Sequence, residues 1–257
     1  MAQQKHTPPT GAEHEWFGFE KIQPAAKKSR VADVFHGVAQ KYDIMNDAMS
    51  GGMHRLWKNR LVRQMRPQPH EKFLDVAGGT GDIGLRIHAK TNGQAAITIT
   101  DINPSMLAVG QDRATNMGRI QNLTWAVADA EKLPFADNVF DVYSIAFGLR
   151  NVTYIDQALA EAWRVLKPGG RFYCLEFSHV PFAPLRQAYD LYSHHVIPKL
   201  GQMIAGDAES YQYLVESIRQ FPTQAQLVAR LGQAGFAQST YQNLTAGVVA
   251  IHTAYKF

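Results

Sequence analysis

One stretch limits what this chain can become: Phe73-Leu74-Asp75-Val76-Ala77-Gly78-Gly79-Thr80-Gly81-Asp82-Ile83-Gly84-Leu85. It begins short and apolar, as a buried strand does, then turns to glycine, then to residues able to open a helix. Glycine takes positive φ without a Cβ clash and lets a ligand touch backbone. A helix N-terminus presents unpaired N–H groups to that ligand. Twenty residues past Gly81, Ile97-Thr98-Ile99-Thr100 ends at Asp101. An acid at about that distance, on a strand tip, suits the two hydroxyls of a ribose. The stretch predicts a nucleotide-type ligand. Gly79, Gly81 and Gly84 also satisfy G-x-G-x-x-G. A nicotinamide dehydrogenase would share that pattern and glycine-rich turns produce it by chance, so the ligand's identity is open at this point.

From residue 73 the chain alternates in period. Strand 73–77 precedes a helix near 82–90, and strand 96–100 precedes Asn103-Pro104-Ser105, which can start a helix over 105–117. Strand 123–128 leads to Asp129-Ala130-Glu131, and strand 139–146 leads to Phe147-Gly148-Leu149-Arg150-Asn151. A helix over 154–165 has Ile155, Leu159, Ala162, Trp163 and Leu166 as its core face. Lys167-Pro168-Gly169-Gly170 reads as a tight turn before strand 171–177, since Pro-Gly marks such turns. Helix 224–234 and strands 236–242 and 247–255 close the chain, the last two as a hairpin. Strands alternating with helices predict a parallel, doubly wound sheet, and ligands in such sheets sit at the carboxyl ends of the strands. Those tips carry Gly79, Thr80, Asp101, Asp129, Ala130, Phe147, Arg150 and Glu176.

Residues 1–30 are polar, with Pro8, Pro9 and Pro24, and are expected to be partly disordered. Trp16-Phe17-Gly18-Phe19 stands out there as a segment that docks on the domain or its substrate mouth. Residues 31–257 read as a single domain. Within it, 31–65 is helical in pattern, with Val31, Val34, Phe35, Val38 and Tyr42 on one face, then Leu56, Trp57, Leu61 and Met65 on another, around a Ser50-Gly51-Gly52 loop. Tyr42, Asp43, Asn46, Ser50 and His54 give this segment more polar groups than packing needs. Residues 179–220 are too long for a connector and predict a lid or substrate wall. His194-His195 there lacks a further ligand at metal spacing, so no metal is expected.

Net charge of +4 with scattered basic residues argues against nucleic acid, which asks for a concentrated basic face. Lys27-Lys28-Ser29-Arg30 is the exception, a solvated face or an attraction to anionic lipid. The single cysteine, Cys174, lies in an apolar strand and reads as a core thiol in a reducing compartment. No run of about 18 apolar residues is present, and the N-terminus lacks an apolar signal core, so the expected location is cytoplasmic.

The acidic first strand, the Gly-Gly-Thr-Gly-Asp loop, acidic tips on the next two strands, Leu166-Lys-Pro-Gly-Gly170 and the closing hairpin resemble the class I S-adenosylmethionine-dependent methyltransferases. Further agreement narrows this. Tyr42-Asp-x-Met-Asn46, Ser50, His54 and Trp57, with Phe147-Gly-Leu-Arg-Asn151, Arg164 to Gly170, Leu175-Glu-Phe-Ser178 and Asn243 to Ala250, is similar to the ubiquinone/menaquinone biosynthesis C-methyltransferases over about residues 30 to 257. The resemblance implies an α/β fold, a seven-stranded, mostly parallel sheet with one reversed strand, and S-adenosyl-L-methionine as cofactor. Gly79, Thr80 and Gly81 would hold its methionine part, Asp101 its ribose, and Asp129 and Ala130 would flank its adenine. Ala146 stands where related enzymes often place serine and would offer only backbone and van der Waals contact. The substrate would be a polyprenylated hydroquinone methylated on a ring carbon, with Tyr42, His54, Arg150 and Asn151 around its hydroxyl. The family's lipid substrate also implies peripheral contact with the inner face of the membrane, through residues around 183–204. Membership of a quinone-biosynthesis assembly and a homo-oligomer are open on the same grounds. The alternatives are a methyltransferase on another small molecule, a nicotinamide-linked oxidoreductase and a non-catalytic scaffold. The oxidoreductase is disfavoured because no Tyr-x-x-x-Lys follows strand four.

Overall fold

The computed structural model describes residues 15–17, 20–23, 26–27, 30–31, 47, 50–184, 186–187 and 208–257. Tyr42 and the rest of 32–46, part of the helical pattern expected over 31–65, lie outside the described residues, as do Tyr189, Tyr192 and the His194-His195 pair. An antiparallel hairpin of β1 (Glu15–Phe17) and β2 (Glu20–Ile22) precedes the domain body. Helix α1 (Met53–Met65) follows, then β3 (Lys72–Val76), α2 (Asp82–Lys90), β4 (Ala96–Asp101), α3 (Pro104–Asn116) and β5 (Leu123–Val127). The second half comprises β6 (Phe140–Ala146), α4 (Ile155–Val165), β7 (Leu166–Phe177), α5 (Ala208–Gln220), α6 (Gln224–Gln233), β8 (Ala237–Leu244) and β9 (Val249–Tyr255).

The sheet is seven-stranded in the order β5-β4-β3-β6-β7-β9-β8. Pairings β3–β4, β4–β5, β3–β6 and β6–β7 are parallel, and β9 runs antiparallel to both β7 and β8. The expected doubly wound sheet with one reversed strand is therefore present. Strand order reverses between β3 and β6, so the crevice of such a sheet opens at their carboxyl ends. Alternation along the strands feeds two cores. Phe73, Ile97, Ile99, Val142 and Leu175 pack under α1, α2 and α3, while Leu74, Tyr143, Ile145, Phe172 and Cys174 pack under α4 and α6. Cys174 is fully buried, as expected, and burial pushes its thiol well up.

Local rules account for the helix ends. Asn103 accepts from Ser105 N at 2.9 Å with Pro104 behind it, and Thr223 forms a capping box with Gln226. Two details differ from the sequence pattern. Leu56 is 59% exposed, because the buried face of α1 is Trp57, Leu61 and Met65 with His54, Lys58 and Val62, and Leu56 points about 100° away from Trp57. Lys167 to Gly170 is a bulge inside β7 rather than a turn before it. Phe140 pairs with Leu166 and Val142 with Arg171, so the intervening residues loop out. Gly169 takes φ +80 there, and a Cβ on Gly170 would sit 2.7 Å from the Lys167 carbonyl.

Asp75 occupies the centre of the sheet, with no solvent exposure. Its Oδ1 accepts from Ser144 Oγ at 2.7 Å and its Oδ2 from Gly84 N at 3.2 Å. Burial pushes this carboxyl from 3.8 up to about 7, and the two hydrogen bonds oppose the rise. Folded, the group keeps its proton to higher pH than it does unfolded. Its contribution to stability is fully present below about 3.8 and is lost as pH rises through about 7. Between pH 4 and 8 the wild type should therefore lose stability relative to Asp75→Asn, by up to about 4 kcal/mol at 1.36 kcal/mol per unit. Urea midpoints across that range check it, and curves that stay parallel would refute it.

Candidate active site

A cleft opens at the β3/β6 switch point. Val76, Ala77 and Gly79 line it from the end of β3, Asp101, Ile102 and Met106 from the end of β4 and α3, and Ala128, Asp129 and Ala130 from the segment after β5. Phe147, Gly148, Asn151 and Val152 close the β6 side, and Val31 of the N-terminal segment completes the wall. Lys27 anchors that segment by donating to the Val152 carbonyl at 3.3 Å.

The two acidic tips are built alike. Asp101 Oδ1 accepts from Asn103 N at 2.9 Å, and Asp129 Oδ1 accepts from Glu131 N at 2.9 Å. Each is an Asx turn, which aims the carboxylate back over its strand. Asp101 Oδ2 also accepts from Gly79 N at 2.9 Å, tying the glycine loop to the second strand. Burial pushes Asp101 up, and the backbone N–H groups of Asn103 and Gly79 hold it back. An ionised carboxylate has about four acceptor sites, so hydroxyl groups of a ligand can still be met. Between these acids the wall is apolar (Ile102, Met106, Ala128, Ala130), a slot for a flat ring with polar edges.

Of the expected cofactor contacts, Gly79, Asp101, Asp129 and Ala130 line the cleft together, and Thr80, Gly81 and Ala146 do not. Thr80 is buried and its hydroxyl accepts from Arg113 at 3.3 Å. Gly81 takes φ +76, and a Cβ there would lie 2.4 Å from the Trp125 ring. Its glycine serves the packing of β5 on the loop. Ala146 packs on the aromatic core instead. The cleft also uses residues without a site signal in the sequence: Val31 falls on a helix face in the pattern, and Ile102 and Met106 follow Asp101 with no motif of their own.

Beyond β6 the backbone is strained. Phe147 adopts φ 57 and Ala77, facing it across the switch point, φ 51. A Cβ on Gly148 would lie 2.4 Å from the Ala77 Cβ, so Gly148 is required for close approach, and Phe147 makes the sharp turn. Arg150 lies behind this turn. Its Nη1 donates to Glu176 Oε1 at 2.6 Å and to the Phe147 carbonyl at 2.7 Å, and both side chains of the ion pair are buried, at 4% and 1% exposed. Arg150 was expected around the substrate hydroxyl, and the anion that it meets in the structure is Glu176. Burial pushes Glu176 up, while Arg150 and the backbone N–H groups of Phe177 and Arg150 pull it back. Arg150 is not part of the cleft wall, whereas its neighbour Asn151 is. Asn151 Oδ1 accepts from the Tyr213 hydroxyl of α5 at 3.1 Å. Burial raises Tyr213 to about 12, so it stays a donor.

His54 is buried on α1, outside the cleft wall, and its Nε2 donates to Asp47 Oδ1 at 2.8 Å. Arg55 holds the same carboxylate, its Nε at 3.0 Å from Oδ1. Burial pulls the His54 pKa down, Asp47 opposes, and Nδ1 is buried without a hydrogen-bond partner among the described residues. Trp57, Phe147 and Phe177 pack tilted or edge-on against one another, with ring centroids 5.0 to 6.3 Å apart, and the Arg150 guanidinium lies 5.4 Å from the Phe177 ring.

A doubly wound sheet with one reversed strand and an acid-rimmed apolar slot at its switch point defines a Rossmann-like methyltransferase fold. A methyltransferase solved with its Trm112 activator from Haloferax volcanii superposes with a TM-score of 0.65 at 16% identity, over 88% of this chain and 96% of that one. Haemonchus contortus phosphoethanolamine N-methyltransferase 2, solved in complex with S-adenosyl-L-methionine, superposes at 0.57 and 16% identity, over 77% of this chain and 52% of that one. The model of the ubiE/COQ5 methyltransferase family matches residues 23–256. The Brucella abortus (strain S19) protein named ubiquinone/menaquinone biosynthesis C-methyltransferase UbiE is 54% identical over 248 residues, 96% of this chain and 92% of that protein. The chain belongs to the ubiE/COQ5 methyltransferase family.

The Arg150–Glu176 pair yields a direct test. Arg150→Met leaves a carboxylate buried without its cation, which typically costs about 3–5 kcal/mol. Arg150→Met combined with Glu176→Gln should recover most of that loss. Thermal and urea unfolding of the single and double variants check this, and a single variant as stable as wild type would exclude a structural ion pair.

Proposed function

We propose that this chain transfers the methyl group of S-adenosyl-L-methionine to a ring carbon of a polyprenylated hydroquinone, as in ubiquinone and menaquinone biosynthesis. The observation that carries the reading is the 54% identity, across nearly the whole chain, to a relative named for that reaction. The cleft fits the cofactor. Asp101 would hold the ribose hydroxyls, Ile102 and Ala130 would face the adenine, Asp129 its polar edge, and Gly79 the methionine part. When bound, the cofactor supplies an electrophilic methyl on a sulfonium.

What the chain itself must do is hold the ring in line with that methyl and take up a phenolic proton. Asn151 is the polar group on the cleft wall nearest that task. Tyr213 occupies its carbonyl oxygen, so its amide N–H groups are the end that meets a phenolate oxygen. Arg150 acts through the turn, by fixing Phe147 and with it Asn151. His54, held by Asp47, lies outside the cleft wall and remains in the proposal on the family's motif. Tyr42 remains in the proposal on the family's motif. The apolar walls and Val31 exclude water from the reaction.

Among the described residues no helix is long and apolar enough to cross a membrane. The lipid tail of the substrate calls for peripheral contact, through the stretch around 183–204. Most of that stretch lies outside the described residues, and Phe182 beside it is 66% exposed. Flotation with anionic liposomes checks this contact. Retention in the soluble fraction, with substrate present, would refute it. Assembly with other quinone-biosynthesis proteins, or with a second copy, belongs to the same proposal.

Tritium from the S-adenosylmethionine methyl should appear in the hydroquinone of a lipid extract when the purified chain is added. Asp101→Ala should bind the cofactor about 10- to 100-fold more weakly in calorimetry, since a hydrogen bond to a charged acceptor contributes roughly 1.5–3 kcal/mol. Unchanged affinity in that variant would remove Asp101 from the site.

A further inference from the structure

The opposite end of the sheet carries a second cleft, of about 430 Å3, lined by Arg60, Arg63, Gln64, Arg66, Arg171, Tyr173 and Tyr255. It lies between the last two turns of α1 and the edge where β7 begins and β9 ends. Arg171 is committed to the fold, donating to the Met65 carbonyl at 2.6 Å and pairing with Glu71. The other three arginines are not so committed. Elsewhere on the surface Arg55 meets Asp47, Arg86 meets Asp82, Arg164 meets Glu161 and Arg230 meets Asp156. Arg60, Arg63 and Arg66 are exposed, and among the described residues none of them has an ion-pair partner. Among the described residues Arg60 donates only to the Gln242 side-chain Oε1, at 3.3 Å.

Three uncompensated guanidinium groups in one concave site repel one another, and a polyanion relieves that repulsion. The choice of residue narrows the ligand. All the cations of the cleft are arginine, whose planar fork matches tetrahedral and carboxylate oxyanions in a two-point contact that lysine cannot make. Two tyrosines on the wall add hydroxyl donors for further oxygens. The cleft has the size of a small-molecule site. We propose that this cleft is a binding site for a phosphate-bearing ligand, distinct from the methyl-transfer cleft, with Arg60, Arg63 and Arg66 as its anion contacts. The phosphate can belong to a soluble compound or to the headgroup of an anionic lipid.

The full chain would be titrated calorimetrically with inorganic pyrophosphate, and separately sedimented with vesicles of phosphatidylcholine alone or mixed with phosphatidylglycerol. Two variants would be compared with wild type: Arg60→Gln/Arg63→Gln/Arg66→Gln, and the same three positions changed to lysine. A charge-matched control, Lys72→Gln/Lys90→Gln/Lys132→Gln, removes three positive charges from exposed sites elsewhere. The glutamine triple should weaken pyrophosphate binding at least tenfold and the lysine triple severalfold, with the control near wild type. Pyrophosphate binding that depends on the three arginines, with vesicle binding unchanged, supports a soluble ligand. Vesicle binding that needs both phosphatidylglycerol and the three arginines supports a lipid headgroup. Equal affinity in the glutamine triple and wild type, or an equal loss in the control, overturns the proposal. All variants keep their melting temperature if the arginines bind ligand and leave the fold untouched.

Discussion

A carboxylate without solvent contact is costly to bury, and Asp75 sits at the middle of the sheet with a hydroxyl and a backbone N–H as its partners. Those partners come from different elements. Ser144 belongs to β6, paired with Asp75 across the switch point, and Gly84 belongs to the first turn of α2. One side chain therefore joins the two strands that form the crevice to the helix that follows the glycine loop. The positive end of α2 favours negative charge at that place. With α2 drawn in this far, the loop between must be tight. A Cβ on Gly78 would lie 2.7 Å from the Ile99 side chain and 3.0 Å from the Asp75 carboxylate. Much of the glycine content of the motif follows from this anchoring of helix to sheet.

The second constraint is strain. Ala77 and Phe147 hold positive φ on the two sides of the switch point, a conformation costing roughly 1–3 kcal/mol for a residue with a side chain. It persists because other interactions over-determine it. Phe147 donates to the Leu175 carbonyl at 2.8 Å, its own carbonyl accepts from Arg150, and its ring is wedged against Trp57 and Phe177. Trp57 is fixed in turn by donating to Thr245 Oγ1 at 2.8 Å. The Arg150–Glu176 ion pair thus acts at a distance from the cleft. It stabilises the turn that presents Gly148 and Asn151 to the ligand.

What was legible in the sequence was what local chemistry dictates. The strand–glycine–helix stretch, Asp101 and Asp129 on strand tips, the Asn103-Pro104 helix start and the closing hairpin all announce themselves within a few residues. What was illegible depends on partners far along the chain. Gly81 reads as a ligand-facing glycine until Trp125 is placed against it. Arg150 reads as a group beside the substrate hydroxyl until Glu176, on the next strand, supplies its anion. The bulge at Lys167–Gly170 exists because β6 and β7 pair on either side of it, which no dipeptide reveals. Tyr213 stands out in the sequence only as one of the tyrosines of 179–220, and its partner is hidden there, since its role depends on α5 lying over Asn151.

The two ends of the sheet differ in the helix ends and in the side chains that they gather. The helices after β3 and β4 start at the carboxyl ends of the strands, so their positive ends gather there, and Asp82, Asp101, Asp129 and Glu131 gather with them. Lys58 and Arg86 overcome the burial of Asp82 and hold it down at about 2, so it stays ionised within its two ion pairs at neutral pH. Helix α1 runs the same way, from Trp57 beside Phe177 at the end of β7 to the Met65 carbonyl beside Arg171 at its start. Its negative end meets Arg63 and Arg66. A cationic sulfonium bearing a ribose is favoured by the acidic end, and a phosphate is favoured by the arginine end. The side chains, which offset and outweigh the helix dipoles at each end, set the charge that a ligand meets there.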